Sequence, residues 1–195
     1  MSHTLQLETE RLILRPWRES DRAPFAEMNA DPEVMTYFPG LLTQDESDAA
    51  IARYKSALES DGFGFLAAEL RSTGEFAGIL GAQTMRDVVP NLPQPAVEIG
   101  WRLPRALHGK GLATEGGRAV VAFAFDRLRL KQVVAITALG NRTSRRVMEK
   151  LGMTYRPDLD FDHPRMPSGH PHQRHALYEL TIQGSRLHQQ LTTNN

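Results

Sequence analysis

The chain has 195 residues, of which 41% are hydrophobic and 24% charged, and its 23 basic residues balance 23 acidic ones. This length and composition favour one globular domain with a sizeable hydrophobic core. Zero net charge argues against a general nucleic-acid or membrane-surface partner, and the absence of cysteine excludes disulfides, thiolate metal sites and a cysteine nucleophile. Because we find neither a secretory signal nor an apolar membrane span, we expect a cytoplasmic protein.

Strands and helices alternate along the predicted chain, which favours a mixed α/β (α+β) fold. Alternating leucines and arginines in residues 10–17 (ERLILRPW) indicate a first strand that Pro16 stops. Ser20 or Asp21 is expected to cap the following helix. Further elements are predicted as a helix from Thr43 to about Leu58, strands over 63–70 and 76–85, a strand over 96–103, a helix over 114–128, a strand over 132–139, a helix over 144–151 that ends at Gly152, a loop from Tyr155 and a strand over 176–182.

Glycines are concentrated in residues 107–117 (LHGKGLATEGG), where a strand should lead into a helix. The stretch is not a P-loop, because Pro104 stands where that motif has glycine and Gly111 where it has serine or threonine. A dinucleotide fingerprint also fails, since its third glycine would fall on Thr114. Backbone N–H groups in a glycine turn at a helix N-terminus still suit a pyrophosphate. The alternative is a plain strand–helix connection whose glycines relieve backbone strain.

Residues 97–116 (VEIGWRLPRALHGKGLATEG) resemble the acetyl-CoA pyrophosphate motif of the GNAT N-acetyltransferases, Q/R-x-x-G-x-G/A. His108 takes the Gln/Arg place, Gly111 the glycine and Ala113 the last small residue; the histidine departs from the family pattern. Three further segments resemble the RimJ/RimL-like, ribosomal-protein-acetylating branch: TERLILRPWRESD with NADPEVMTYFP, NRTSRRVMEKLGM, and HALYELT. The resemblance extends over about residues 8–182.

The resemblance implies a single GNAT domain over residues 1–195, with a core at 8–182 and a C-terminal tail at 183–195. The implied fold is a mixed seven-stranded sheet, splayed between its fourth and fifth strands, with about four helices. Acetyl-CoA is the implied donor, and no metal is required. The implied coenzyme-binding residues are Ile99, Gly100, Trp101, Arg102 and Leu103 on the fourth strand, His108, Gly109, Lys110, Gly111, Leu112, Ala113 and Thr114 in the glycine turn and helix start, and Asn141 after the fifth strand.

Two side chains are candidates for catalysis. Glu98 is the carboxylate on the fourth strand and, by resemblance, takes the proton of the amine directly or through water; otherwise it is a solvated or ion-paired charge. Ser144 is placed by the same resemblance near the coenzyme sulfur, where it would protonate the leaving thiolate. Its alternative role is a helix cap, and that of Asn141 is a turn residue.

The implied activity is acetyl transfer to a primary amine, either a protein N-terminus or a small molecule, by direct attack in a ternary complex. A non-catalytic acyl-CoA-binding or sensing module on the same fold is the alternative. The histidine-rich segment 163–175 is expected to face the substrate or to be a surface loop. His170, His172 and His175 can be drawn as metal ligands, but intervening prolines and the absence of cysteine argue against this. A homodimer is compatible with the sequence.

Overall fold

One mixed β-sheet organises the computed structural model, which describes residues 5–85, 88–90 and 92–184. Nine strands are found among these residues, and three of them have only two residues. In chain order they are β1 (Leu7–Glu8), β2 (Leu12–Arg15), β3 (Phe65–Leu70), β4 (Phe76–Met85), β5 (Ala96–Arg102), β6 (Gln132–Ala138), β7 (Thr154–Tyr155), β8 (Phe161–Asp162) and β9 (Arg174–Thr181).

The spatial order of the strands is β1-β2-β3-β4-β5-β6-β9-β7, and β8 also pairs with β9. All pairs are antiparallel except β5 with β6. These two parallel strands meet at a single register pair, Glu98 with Val134. Beyond Glu98 the strands separate, so the edge of β5 that faces β6 is not paired with a strand there. The predicted splay is confirmed.

Helices cover both faces of the sheet, and four α-helices lie among the described residues: α1 (Arg22–Ala30), α2 (Gln44–Asp61), α3 (Leu112–Asp126) and α4 (Arg142–Lys150). The larger core cluster joins one sheet face to α3 and α4 through Val120, Val121 and Met148. The other face packs against α1 and α2 through Phe25 and Ile51. These side chains lie on the apolar helix faces that the sequence periodicity indicates.

Several helix ends follow directly from the local sequence. Thr43 caps α2 through a reciprocal capping box, in which its hydroxyl accepts from the N–H of Glu46 at 3.2 Å and its own N–H donates to the Glu46 carboxylate at 2.8 Å. Gly152 ends α4 with a left-handed φ of 81°. The N–H of Met153 donates to the carbonyl of Met148 at 3.0 Å, which completes a Schellman motif.

Some sequence predictions were wrong. The sheet has nine strands among the described residues instead of the seven implied, and the loop predicted from Tyr155 contains β7, β8 and a short 3₁₀ helix. β7 and β8 have two residues each, too few for a detectable period, and both pair with β9. α3 starts at Leu112, before the predicted Thr114, because Gly111 already serves as its N-cap. Of the predicted tail 183–195, residues 185–195 lie outside the described part of the chain.

Candidate active site

The glycine turn has the backbone geometry of an anion-binding loop. Gly109 and Gly111 both have left-handed φ values, 74° and 80°, which L-residues adopt only with strain. Gly111 is the N-cap of α3, and the first backbone hydrogen bond of the helix runs from the N–H of Glu115 to the Gly111 carbonyl at 3.0 Å. The N–H groups of Leu112, Ala113 and Thr114 are therefore free of helical partners and lie at the positive end of the helix dipole.

Arg11 and Glu115 hold this turn in place. The Glu115 carboxylate accepts hydrogen bonds from the Thr9 hydroxyl at 2.6 Å, the Arg11 N–H at 2.7 Å and the Arg11 Nε at 2.6 Å. Arg11 also donates from Nη1 to the Lys110 carbonyl at 3.0 Å. Burial alone would raise the pKa of Glu115, but the three hydrogen bonds outweigh it and lower the pKa. The turn is thus fixed to β2 by a charged clamp.

The side chains in the turn have different surroundings. The ring Nε2 of His108 lies 2.9 Å from the Leu103 carbonyl, which ties the start of the turn to the end of β5. Leu112 and Thr114 are buried, with Leu112 in the core, so their backbone N–H groups are what they offer to a ligand. Lys110 is exposed. His108, at the Gln/Arg place of the motif, therefore stabilises the turn through its contact with the Leu103 carbonyl.

The side chains of β5 point alternately to the two faces of the sheet. Ile99 and Trp101 pack in the cluster beneath α3 and α4, together with Leu103 just beyond the strand. The opposite face carries Glu98, Gly100 and Arg102. Residues Ile99 to Leu103 were predicted to form one coenzyme-binding segment. The structure separates their side chains onto two faces, and the strand edge toward β6 is what they share.

Glu98 is partly buried at the point where β5 and β6 separate. Gln83, its register neighbour on β4, donates from Nε2 to the Glu98 carboxylate at 3.1 Å. Burial raises the pKa of Glu98, opposed by the hydrogen bond from Gln83 and by the positive charge of Arg165. A carboxylate with a raised pKa is a better proton acceptor near neutral pH than a fully solvated one.

Asn141, and not Ser144, caps α4. Its Oδ1 accepts from the Ser144 N–H at 3.1 Å, and its Nδ2 donates to the Thr137 hydroxyl at 3.0 Å. The alternative role of Ser144 as the cap does not hold, because Asn141 stands at the first non-helical position and already supplies the acceptor. Since capping requires only the N–H of Ser144, its hydroxyl is available for another role.

Three chain segments meet near the end of β6. Tyr37, in the connection between α1 and α2, lies 4.8 Å from the ring of His172, and its hydroxyl lies 3.5 Å from the Gly140 carbonyl. The histidine-rich segment forms the tip of the β8–β9 hairpin, and its Arg165 acts on the pKa of Glu98. The expectation that this segment faces the site is consistent with both contacts.

Several of these residues carry no signal in the sequence. Arg11 and Glu115 are 104 residues apart, and Tyr37 and His172 meet only through tertiary packing. Glu115 carries the one local signal, because a carboxylate in the first turn of a helix is stabilised by the helix dipole. Within the described part of the chain no cluster of three or more His, Asp or Glu has the arrangement of a metal site, and no helix is long and apolar enough to span a membrane.

Comparison with known proteins agrees with this geometry. The model of the acetyltransferase (GNAT) domain family matches residues 11–154. The Bacillus subtilis protein YkkB is 32% identical over 158 residues, which cover 80% of this chain and 88% of that protein. An Aspergillus fumigatus FsC-acetyl coenzyme A-N(2)-transacetylase is 31% identical over 154 residues, 76% of this chain and 65% of that protein.

Solved structures show the same fold. A RimL ribosomal L7/L12 α-N-protein acetyltransferase in complex with coenzyme A aligns with a TM-score of 0.73 at 16% identity, covering 92% of this chain and 99% of that one. The family model spans well over half of the chain, and the splayed strands and glycine turn are those that the resemblance implies. The chain therefore belongs to the GNAT family of N-acetyltransferases, which take their acetyl group from acetyl-CoA.

Proposed function

We propose that this enzyme transfers acetyl from acetyl-CoA to a primary amine by direct attack in a ternary complex, with Glu98 as base. The observation that carries the proposal is the position of Glu98. It is a partly buried carboxylate with a raised pKa, at the point where β5 leaves β6. A structural ion pair would instead lower the pKa of a carboxylate, as it does for Glu8 beside Arg71.

The glycine turn fits the pyrophosphate of the donor. Gly109 has open space where a Cβ would stand, and a Cβ at Gly111 would meet only the Arg11 guanidinium, at 3.6 Å. The α3 N-terminus and exposed Lys110 add positive potential, and Glu115 is neutralised by Arg11. The pantetheine arm is assigned to the unpaired edge of β5 from Ile99 to Leu103, with Asn141 at its far side. One hydrogen of the Asn141 amide remains for that contact.

In the proposed reaction, Glu98 takes a proton from the ammonium form of the acceptor. The neutral amine nitrogen then forms a bond to the thioester carbonyl carbon, and backbone N–H groups of β5 stabilise the oxyanion. The carbon–sulfur bond breaks, and the thiolate receives a proton from Ser144. Glu98 takes the proton of the ammonium group directly or through one water.

Acceptors differ in how much they need this base. At pH 7 an α-amino group with a pKa near 7.8 is roughly 14% neutral, whereas a lysine-like amine near 10.4 is roughly 0.04% neutral. Among the relatives, RimL is named for a protein α-amino group and the Aspergillus protein for an N(2) position. The base should therefore raise the rate for alkylamines by up to roughly 350-fold more than for α-amines.

The test is a panel of α-amines and alkylamines assayed for CoA release, with Glu98→Gln against Glu59→Gln, an exposed carboxylate on α2. We expect Glu98→Gln to lower kcat/KM at neutral pH and to recover part of it as pH rises toward the pKa of the amine. The recovery should come at lower pH for α-amines. A Glu98→Gln profile that matches the wild type would rule out the base, and acetyl-CoA binding without transfer to any amine would favour the non-catalytic module.

A further inference from the structure

Arg102 is an unusual residue in this site, because a charged side chain is enclosed there by neutral groups. Its Nη1 donates to the Oδ1 of Asn29 at 2.5 Å, and its guanidinium lies over the Phe38 ring, 4.0 Å from the centroid. Its Nε is buried and has no hydrogen-bond partner. Among the described residues, no carboxylate forms an ion pair with it. The positive charge is thus partly removed from water and has no carboxylate partner among these residues.

Arg15, which is buried, shows how such a charge is usually compensated. Arg15 is held by Asp21 at 2.8 Å and by Glu69 at 2.7 Å, and the hydrogen bond to Asp21 leads the effects that raise its pKa. At Arg102 the dominant effect is burial, which lowers the pKa, opposed weakly by Tyr54. A buried cation without a counter-ion is costly. A guanidinium nevertheless stays charged at neutral pH, so its surroundings favour an anionic ligand.

We propose that Arg102 binds an anionic group of the acceptor, so that the substrate is an amine that also carries a carboxylate or phosphate. The inference rests on the proposed function, since it places the acceptor on the Glu98 face of β5. A guanidinium matches the geometry of both oxyanions. The ligand would supply the acceptor that the Nε lacks and the charge that the protein does not provide.

The spacing along β5 restricts the acceptor further. Glu98 and Arg102 lie on one face, four residues or about 13 Å apart, and Gly100 stands midway. The Phe65 ring covers Gly100, with ring atoms 3.0 and 3.1 Å from the place of its Cβ. An amine that attacks between Glu98 and Gly100 would lie roughly 7–13 Å from the anion. The adjacent amine and carboxylate of a free α-amino acid are too close together for this, whereas an ω-amino acid or an acidic peptide can span the distance.

Asn29 positions the guanidinium and offers a sharp test. It is fully buried on α1, and its Nδ2 donates to the Ser47 hydroxyl at 3.0 Å. In Asn29→Asp, a carboxylate would replace the neutral amide oxygen beside Arg102, and the Ser47 hydroxyl can donate to it instead. The variant would therefore supply an anion from the protein and leave the guanidinium in place. A ligand anion would no longer be needed.

The experiment compares ω-amino carboxylates of increasing length with their amides and with the matching phosphonates. We expect wild-type kcat/KM to be at least about tenfold higher for the best anion than for its amide, as for a charge-assisted hydrogen bond. Carboxylates and phosphonates in separate arms identify which anion is preferred. Arg102→Gln and Asn29→Asp should each lose the preference. Arg105→Gln should retain it, because Arg105 is exposed and pairs with Glu33 at 2.6 Å.

A binding readout separates this proposal from the proposed function. Hexanoate and hexylphosphonate, which have no amine, are titrated into ¹⁵N-labelled protein while the Arg102 Nε–Hε resonance is followed. A shift that is lost in Asn29→Asp supports the anion site even if no amine is acetylated. An unmoved resonance, or equal kcat/KM for anionic and amide acceptors in an active enzyme, would overturn the site and leave acetyl transfer intact.

Discussion

Replacing Gly111 by valine tests whether the glycine turn binds the donor through its backbone. Gly111 has a φ of 80°, and a Cβ there would contact only Arg11 Nη2, at 3.6 Å. Steric clash inside the protein is therefore minor, and the cost is left-handed strain of about 1–2 kcal/mol or more. Gly74, in the β3–β4 hairpin turn, has a φ of 73° and no atom within 4 Å of its would-be Cβ. Gly74→Val is thus a matched control with the same strain.

The two variants should differ in coenzyme affinity only. If residue 111 of the variant leaves the left-handed region, acetyl-CoA binding must return it to that conformation and restore the strain. A strain of 1–2 kcal/mol corresponds to a rise of roughly 5- to 30-fold in Kd. Two valine methyls near the pyrophosphate add to this, so we expect at least about a tenfold rise for Gly111→Val. Each variant should also lose at least about 2 °C in Tm, as expected for a chain of this size.

The assay is calorimetric titration with acetyl-CoA, alongside a thermal melt of each variant. Gly74→Val should keep the wild-type Kd in spite of its lower Tm, which shows that strain alone does not weaken binding at a distance. A folded Gly111→Val protein that binds acetyl-CoA with wild-type affinity would refute the assignment of the turn to the pyrophosphate.

Three further changes test other parts of the site. Ser144→Ala should lower kcat, at the low end of about 10²–10⁴-fold because a thiolate leaves readily, with unchanged coenzyme affinity; unaltered kcat with a rate-limiting chemical step would contradict the acid role. Asn141→Ala should cost about 0.5–2 kcal/mol of unfolding free energy in denaturant titration through the lost cap, and an unchanged midpoint would contradict it. Burial, then His175 and Arg165, lower the pKa of His163 from 6.5 to about 4. Stability from neutral His163 should therefore be complete above pH 6.5 and be lost as pH falls toward 4, and His163→Gln should flatten that dependence in acid unfolding.

The sequence predicted the long elements because their signals are local. Six strands and four helices follow from periodicity, and the ends at Thr43 and Gly152 follow from side chains or φ values within one turn. β7 and β8 were missed because two residues carry no period and their pairing with β9 is tertiary. A helix cap was the alternative role of Ser144 because its residue type suits one, although Asn141, three residues earlier, supplies the acceptor.

The sequence predicted where the backbone of the candidate site forms its glycine turn. It did not predict the surroundings of the side chains. A glycine turn between a strand and a helix is visible in residues 107–117, but the Arg11–Glu115 clamp joins residues 104 apart. Glu98 was identifiable by its strand. Burial raises its pKa against the opposing effects of Gln83 and Arg165, which come from another strand and a hairpin tip. Such shifts arise from packing, which sequence periodicity does not specify.

The geometry of β5 also indicates how donor and acceptor recognition are separated. In the proposed complex the donor lies along the edge of the strand that faces the splay. Any residue provides the backbone groups there, so donor binding should depend little on the side chains. One face, with Ile99, is committed to the core beneath α3. The other face presents Glu98 and Arg102, whose identities would determine which amine is bound. The backbone edge of β5 and its two side-chain faces point in different directions, because side chains alternate along a strand. Substitution at Arg102 should therefore change acceptor preference and leave the Kd of acetyl-CoA nearly constant. A parallel change in both would show that the guanidinium also serves the donor.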